Sequence, residues 1–116
     1  MRSGPDSNRP LPAPLAKGLK AETCHALMHG VRRRILRMFN QDPTPRTPQE
    51  LLKKFPGLSL SSVNYHVLVL DECGSLTVSR VKTTPGSFAR MFTSNVADDP
   101  QLAAVLRATE SLDDDR

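Results

Sequence analysis

Small polar side chains lie at the start of the segment 59–73. Ser61, Ser62 and Asn64 carry hydroxyl and amide groups that both donate and accept hydrogen bonds. Base edges in the major groove of DNA present matching groups, and an asparagine can pair bidentately with adenine. Tyr65 adds a side chain that could reach a phosphate or a thymine methyl group. These residue types predict hydrogen bonding to the bases of a nucleic acid.

Basic residues that could hold phosphates flank this segment. Arg80, Lys82 and Arg90 fall in the segment 76–93, where Lys82 is best placed for a phosphate or the minor groove. Arg90 could instead brace its own segment. Arg32 opens a run of three arginines, one of which could touch a phosphate; the alternative is a solvent-exposed face of a helix.

The charge of the chain is unevenly distributed. The formal net charge is +4, but residues 31–92 hold ten Lys/Arg against four Asp/Glu, whereas residues 93–116 hold two against six. A basic middle followed by an acidic end favours a polyanionic partner for the middle. No stretch approaches the roughly 20 apolar residues that cross a bilayer, so no membrane contact is expected.

Other chemistries are poorly supported by the sequence. Cys24, His25 and His29 are close together, but a metal site needs three or four converging ligands, and no further ligands are evident in the third or the last helix. Cys73 could act as a redox switch, although a small buried apolar residue is the simpler interpretation. No nucleophile elbow or phosphate-binding glycine loop is present. The sequence therefore predicts neither an enzyme, nor a cofactor, nor a resident metal, and the two cysteines favour a reducing cytoplasm.

Four helices are predicted ahead of the segment 76–93. The first covers residues 15–29 and ends at Gly30, and the second covers 31–41, with apolar residues at helical spacing. The third begins at Thr47, which forms a capping-box pattern with Glu50 and has proline at the first helical position.

The fourth helix should run from about Ser59, its N-cap, to Cys73. Val63, Val67 and Leu70 share one face of it. The polar side chains that begin this helix therefore project from the opposite side of an anchored element.

Alternating residues after Gly74 predict a β-hairpin over 76–93, with a turn at Thr83–Gly86. A last helix should begin after Asp98 and Asp99. The sequence predicts a disordered proline-rich arm at residues 1–14, a single domain at residues 15–110 and an acidic frayed tail at residues 111–116. Helices, a hairpin and a final helix in the order α-α-α-α-β-β-α define a mainly α fold with a small β wing, the winged helix-turn-helix.

Three stretches carry more specific patterns. Residues 26–36 are similar to the pattern A-L-x-H-P-x-R-x-x-I-L, and residues 58–70 to L-S-x-S-x-V-S-Y-H-L-x-V-L. Residues 73–80 and 90–92 are similar to x-G-L-V-x-x-R and R-x-Y. Together, over about residues 20–95, the sequence resembles the ArsR-type family of bacterial and archaeal transcription regulators.

The resemblance implies that the helix 59–73 enters the major groove of double-stranded DNA. It adds Leu60 and His66 to the candidate DNA contacts, with His66 at a position that faces either the backbone or the core. Gly30, Leu68 and Phe92 depart from the family pattern. Leu68 stands where the family often has a basic residue, which removes one phosphate contact or exposes a leucine to a partner.

The resemblance also implies a homodimer that represses transcription from a palindromic site. The first and last helices are expected to form the dimer surface, because their apolar sides exceed what so small a domain can bury. An unidentified small-molecule effector is compatible with the family. Two alternatives stay open: a winged-helix module for protein–protein assembly with Leu68 in the contact, and a metal or thiol sensor of the same fold.

Overall fold

A computed structural model describes residues 10–113 of the chain. In chain order, its elements are α1 (Ala13–Ala16), α2 (Ala21–Leu27), α3 (Gly30–Gln41), α4 (Pro48–Leu52), α5 (Leu60–Glu72), β1 (Leu76–Thr84), β2 (Ser87–Ser94), α6 (Pro100–Ala108) and α7 (Glu110–Asp113). The predicted mainly helical fold with a β-hairpin wing is confirmed. Within residues 10–113, no helix combines the length and the apolar character that crossing a membrane would require.

One apolar core holds α3, α5, α6 and the base of the wing together. Its fully buried members include Val31, Ile35, Leu36, Phe39, Leu51, Val63, Leu70, Leu76 and Leu102. The i, i+4 spacing of Val31, Ile35 and Phe39 places these side chains on one face of α3, so that burying this face orients the helix against α5.

Side-chain caps set where α4 and α5 begin, as the sequence predicts. The backbone N–H of Thr47 donates to Glu50 Oε1 at 2.8 Å, and the N–H of Glu50 donates to Thr47 Oγ1 at 3.2 Å, which is the complete capping box. Ser59 Oγ accepts from the N–H of Ser62 at 3.1 Å at the start of α5. Gly57, with φ of +97°, makes the turn between the two helices in a conformation that favours glycine.

The first predicted helix is wrong in its extent. Residues 13–27 form two short helices, α1 and α2, with Gly18 at φ +85° between them. Gly30 does not end a helix but begins α3, where His29 is the N-cap and its Nδ1 accepts from the N–H of Val31 at 3.2 Å. A polar N-cap side chain thus replaces the expected glycine stop.

The structure describes the inner ends of the predicted arm and tail, residues 10–14 and 111–113. Leu11, inside the arm predicted to be disordered, is only 6% exposed and belongs to the core. Ser111–Asp113, predicted to fray, belong to α7, and the Asp113 carboxylate is buried against Arg33 at 2.6 Å. Residues 1–9 and 114–116, which hold the rest of the predicted arm and tail, lie outside the described residues.

The wing is a two-stranded antiparallel hairpin. Its register pairs Leu76 with Ser94 at the base and Thr84 with Ser87 at the tip, with a bulge between Val78 and Arg80. An isolated bridge joins the hairpin to the loop before α4: the Arg46 N–H donates to Phe92 O at 2.9 Å, and the Phe92 N–H donates back at 2.8 Å. This bridge fixes the wing beside α4 and α5.

The last predicted helix, α6, does not carry the surplus apolar surface from which a dimer contact was expected. Leu102, Val105 and Leu106, the apolar side of α6, are at most 5% exposed within a single chain. Within residues 10–113, the large hydrophobic residues that remain exposed are Met28, at the end of α2, and Tyr65, Leu68, Val78, Val81 and Phe88, on α5 and the wing. Surplus apolar surface therefore lies mainly on α5 and the wing.

Candidate nucleic-acid interface

The two faces of α5 differ as the sequence predicts. Val63, Val67 and Leu70 are at most 1% exposed and fasten the helix to the core. On the outer side, Ser61 and Asn64 are exposed, whereas Leu60 and Ser62 are half-buried. Tyr65 and Leu68 are 59% and 49% exposed. The first turns of α5 therefore present hydroxyl, amide and apolar groups on a rigid support.

His66 faces the interior and not the outer surface of α5. It is 4% exposed, and its Nδ1 lies 3.2 Å from an Arg32 terminal nitrogen. Because arginine only donates hydrogen bonds, Nδ1 is the acceptor and the neutral ring carries its proton on Nε2. Burial, followed by the neighbouring His29 ring and the Arg32 charge, lowers the pKa of His66 to about 4.

Arg32 is likewise an internal residue. It is 5% exposed, and it donates to the carbonyl oxygens of His25 at 2.9 Å and Ala26 at 3.3 Å as well as to His66. Burial is also the main cause that lowers the pKa of its guanidinium. Arg32 therefore connects the end of α2 to His66 on the buried side of α5, and it forms no part of the exposed surface.

A second residue of the arginine run on α3 is buried, although both a phosphate contact and a solvent-exposed face would need the run to be open to solvent. Arg33 is fully buried and donates to the Leu27 carbonyl at 2.8 Å and to the Asp113 carboxylate at 2.9 and 2.6 Å. Arg34 is half-buried, with its guanidinium 5.4 Å from the centre of the Phe55 ring. The arginine run thus serves largely to hold the fold together.

The basic residues of the wing are exposed and point in different directions. Lys82 lies 3.5 Å from Glu50 Oε2, an exposed pair that a phosphate could replace at little cost. Arg80 Nε lies 3.4 Å from the sulfur of Met91, and Arg90, paired with Val81, is open to solvent. Lys82 is thus placed toward α4, and Arg90 toward α5.

A groove of about 360 Å³ separates α5 from the wing and brings together residues distant in the sequence. Of the predicted site residues, Leu60, Asn64 and Arg90 line it. Thr47, Gln49 and Phe88 line it as well but were not singled out from the sequence. Gln49 is an exposed polar residue in the first turn of α4, and this position in an amphipathic helix could have identified it from the sequence. The position of Phe88 depends on the hairpin register.

Within residues 10–113, no group of three or more His, Cys, Asp or Glu side chains is arranged to hold a metal ion. Cys24 and Cys73 are separate free thiols, both half-buried. Cys24 donates to the Ala16 carbonyl at 3.6 Å, and burial raises the pKa of the Cys73 thiol. A raised pKa disfavours the reactive thiolate.

The fold and the exposed helix define a winged helix-turn-helix protein. In agreement, residues 27–79 match the family described as the helix-turn-helix domain, a stretch that covers α3, α4, α5 and the start of β1. This match supports a transcription regulator that binds DNA, a class that is typically not enzymatic. No curated protein matches the chain.

Proposed function

We propose that this protein binds double-stranded DNA in a sequence-specific manner and regulates transcription, with α5 in the major groove. The observation that carries the proposal is the two-sided burial of α5: Val63 and Val67 are sealed while Ser61 and Asn64 are exposed. A recognition helix needs this arrangement, because base contacts are lost if its position varies.

Base contacts are assigned to the leading turns of α5. Ser61, Ser62 and Asn64 supply short polar groups, and the Asn64 amide is suited to adenine. Tyr65, exposed on the next turn, supplies a ring and a hydroxyl group for the sugar–phosphate backbone. Leu60 lies at the edge of the groove toward the wing.

Phosphate contacts are assigned to the wing. Arg90 lines the groove beside α5, Lys82 lies next to Glu50 of α4, and Arg80 extends the basic surface along β1. His66 and Arg32 are assigned a positioning role, since both are buried behind the recognition face. This division separates residues that touch DNA from residues that hold α5.

A homodimer and a repressing action are part of the proposal. A helix of 13 residues spans only a few base pairs, so two copies on successive major grooves would supply the length of site that specificity needs. A dimer covering a promoter would block transcription. We place this action in the cytoplasm, because the sequence resembles bacterial and archaeal regulators. The dimer surface is left to experiment, because α6 buries its apolar side internally.

The test is selection of bound duplexes from a random pool, followed by fluorescence anisotropy on the selected site. Asn64→Ala should reduce discrimination between selected and scrambled duplexes by about 1–3 kcal/mol. Lys82→Ala should weaken binding to all duplexes and reduce the slope of log affinity against log salt by about one. Asn40→Ala and Arg107→Ala, exposed positions on α3 and α6, are the matched controls.

A second function is favoured by one observation. The exposed Tyr65, Leu68 and Phe88 form an apolar surface that would also suit a protein partner. Such a module would bind its partner with little dependence on salt and would show no affinity for duplex DNA. Steeply salt-dependent duplex binding would exclude it as the main activity.

A further inference from the structure

The outer face of α5 lacks the residue types that most often recognise guanine. No lysine or arginine occurs in Leu60–Glu72, and the helix ends with two acids, Asp71 and Glu72. Bidentate contacts from arginine or lysine to guanine are the commonest specific contacts in the major groove. Recognition through this helix therefore cannot use these bidentate contacts to guanine and depends on other side-chain types.

Apolar surface takes the place of charge along one line of α5. Leu60, Asn64 and Leu68 are spaced i, i+4, i+8 and line the same groove against the wing. Leu68 is 49% exposed, and Phe88, on the opposite wall, is 69% exposed. The Asn64 amide thus lies between two leucines in a groove with an apolar wall.

Base pairs of adenine and thymine present the complementary chemistry in the major groove. Thymine offers its C5-methyl group to apolar side chains, and adenine offers N6 and N7 to an asparagine. The exposed Lys82 and Arg90 of the wing give this apolar groove a basic border. A polyanion with methyl groups on its base edges fits both features better than an uncharged partner does.

We propose that the site is recognised through thymine methyl groups, with Leu60 and Leu68 against the methyls and Asn64 on an intervening or adjacent adenine. This proposal rests on the proposed function and specifies which bases α5 recognises. It assigns Leu68, at the position where the resembling family often has a basic residue, to specificity and not to phosphate binding.

The experiment replaces thymine by deoxyuridine, which lacks only the C5-methyl group, at each position of the selected half-site. Each contacted methyl that is removed should lower the affinity of the unmodified protein about fourfold. Leu68→Ala should bind the uridine and thymidine duplexes equally at the position it contacts. Met28→Ala, another exposed apolar residue remote from the groove lining, should discriminate between them as the parent chain does.

Other results would overturn the proposal and are distinguishable from failure of the proposed function. Sequence-specific binding that is indifferent to uridine, or selected sites composed of G·C pairs, would refute methyl recognition while DNA binding stands. If Leu68→Ala still distinguishes thymidine from uridine duplexes as well as the parent chain does, the loss of affinity comes from a change in duplex stiffness and not from a contact with the Leu68 side chain. A chain that binds no duplex would refute the proposed function, and self-association abolished by Leu68→Ala would make the groove a contact between copies.

Discussion

The free energy of unfolding should fall as the pH drops below about 6.5, because His66 is buried as a neutral ring. Replacing His66 by asparagine should abolish this pH dependence. In the folded chain, the His66 ring is neutral because the side chain is buried and its Nδ1 accepts from Arg32 at 3.2 Å. The asparagine oxygen can accept the same hydrogen bond without titrating. The substitution therefore separates proton binding from the contact itself.

The expected size follows from the two pKa values. The unfolded chain protonates His66 near 6.5, whereas the folded chain holds its pKa at about 4. Between these values the unfolded state binds more protons than the folded state does. The free energy of unfolding therefore has its full value above about pH 6.5 and falls as the pH is lowered toward 4. Because one pKa unit corresponds to about 1.4 kcal/mol, the difference between 6.5 and about 4 gives the loss an upper bound of about 3–4 kcal/mol.

The assay is urea denaturation followed by circular dichroism, at several pH values from about 7.5 to about 4.5. The parent chain should lose stability relative to His66→Asn over this interval, since all other titrating groups are shared. Asn40→Ala, which changes an exposed residue of α3 that does not titrate, should keep the parent slope. Parallel curves for the parent and His66→Asn would refute the assignment of a buried neutral histidine behind α5.

The remaining predictions concern the ends of the fold and its helix-turn-helix. Asp113→Asn should lower the free energy of unfolding by about 3 kcal/mol, because it removes the charge that faces the fully buried Arg33 and the partly buried Arg37. Asp98→Asn, at an exposed position, is its control, and equal denaturation midpoints for the two variants would contradict the buried pair. Thr47→Ala should cost about 1 kcal/mol in urea denaturation through loss of the capping box, and an unchanged midpoint would show that the cap contributes nothing.

Local signals made α4, α5 and the wing predictable. Thr47 with Glu50, and Ser59 with Ser62, are contacts over three residues, so their side chains can find each other in any chain with this spacing. The turn at Pro85 and Gly86 sets the hairpin in the same local manner. The anchored face of α5 followed from helical periodicity alone.

Side-chain roles that depend on distant partners were not predictable. Three consecutive arginines look alike in the sequence, but Arg32 meets His66 34 positions away and Arg33 meets Asp113 80 positions away. These partners bury Arg32 and Arg33, whereas a phosphate contact or a solvent-exposed face would leave them open to solvent. His66 became internal for the same reason, and the groove wall formed by Phe88 required the hairpin to be placed beside α5.

The breaks near the N-terminus were missed for a different reason. Gly18 adopts a positive φ and divides a stretch whose apolar spacing resembles one helix. Gly30 was expected to stop a helix, but the His29 side chain instead accepts from the N–H of Val31 in the first turn of α3. Histidine is not among the usual N-cap residues, so the sequence signal at this position pointed to the wrong element.

The most direct test of the central claim is a titration of isotopically labelled protein with the selected duplex, followed through its backbone amide signals. The largest changes should fall at residues 60–65 of α5 and 82–90 of the wing, with α6 and α7 little affected at low protein concentration. Changes confined to α1, α6 or α7, with the α5 signals unmoved while DNA is bound, would contradict the claim that α5 is the recognition helix.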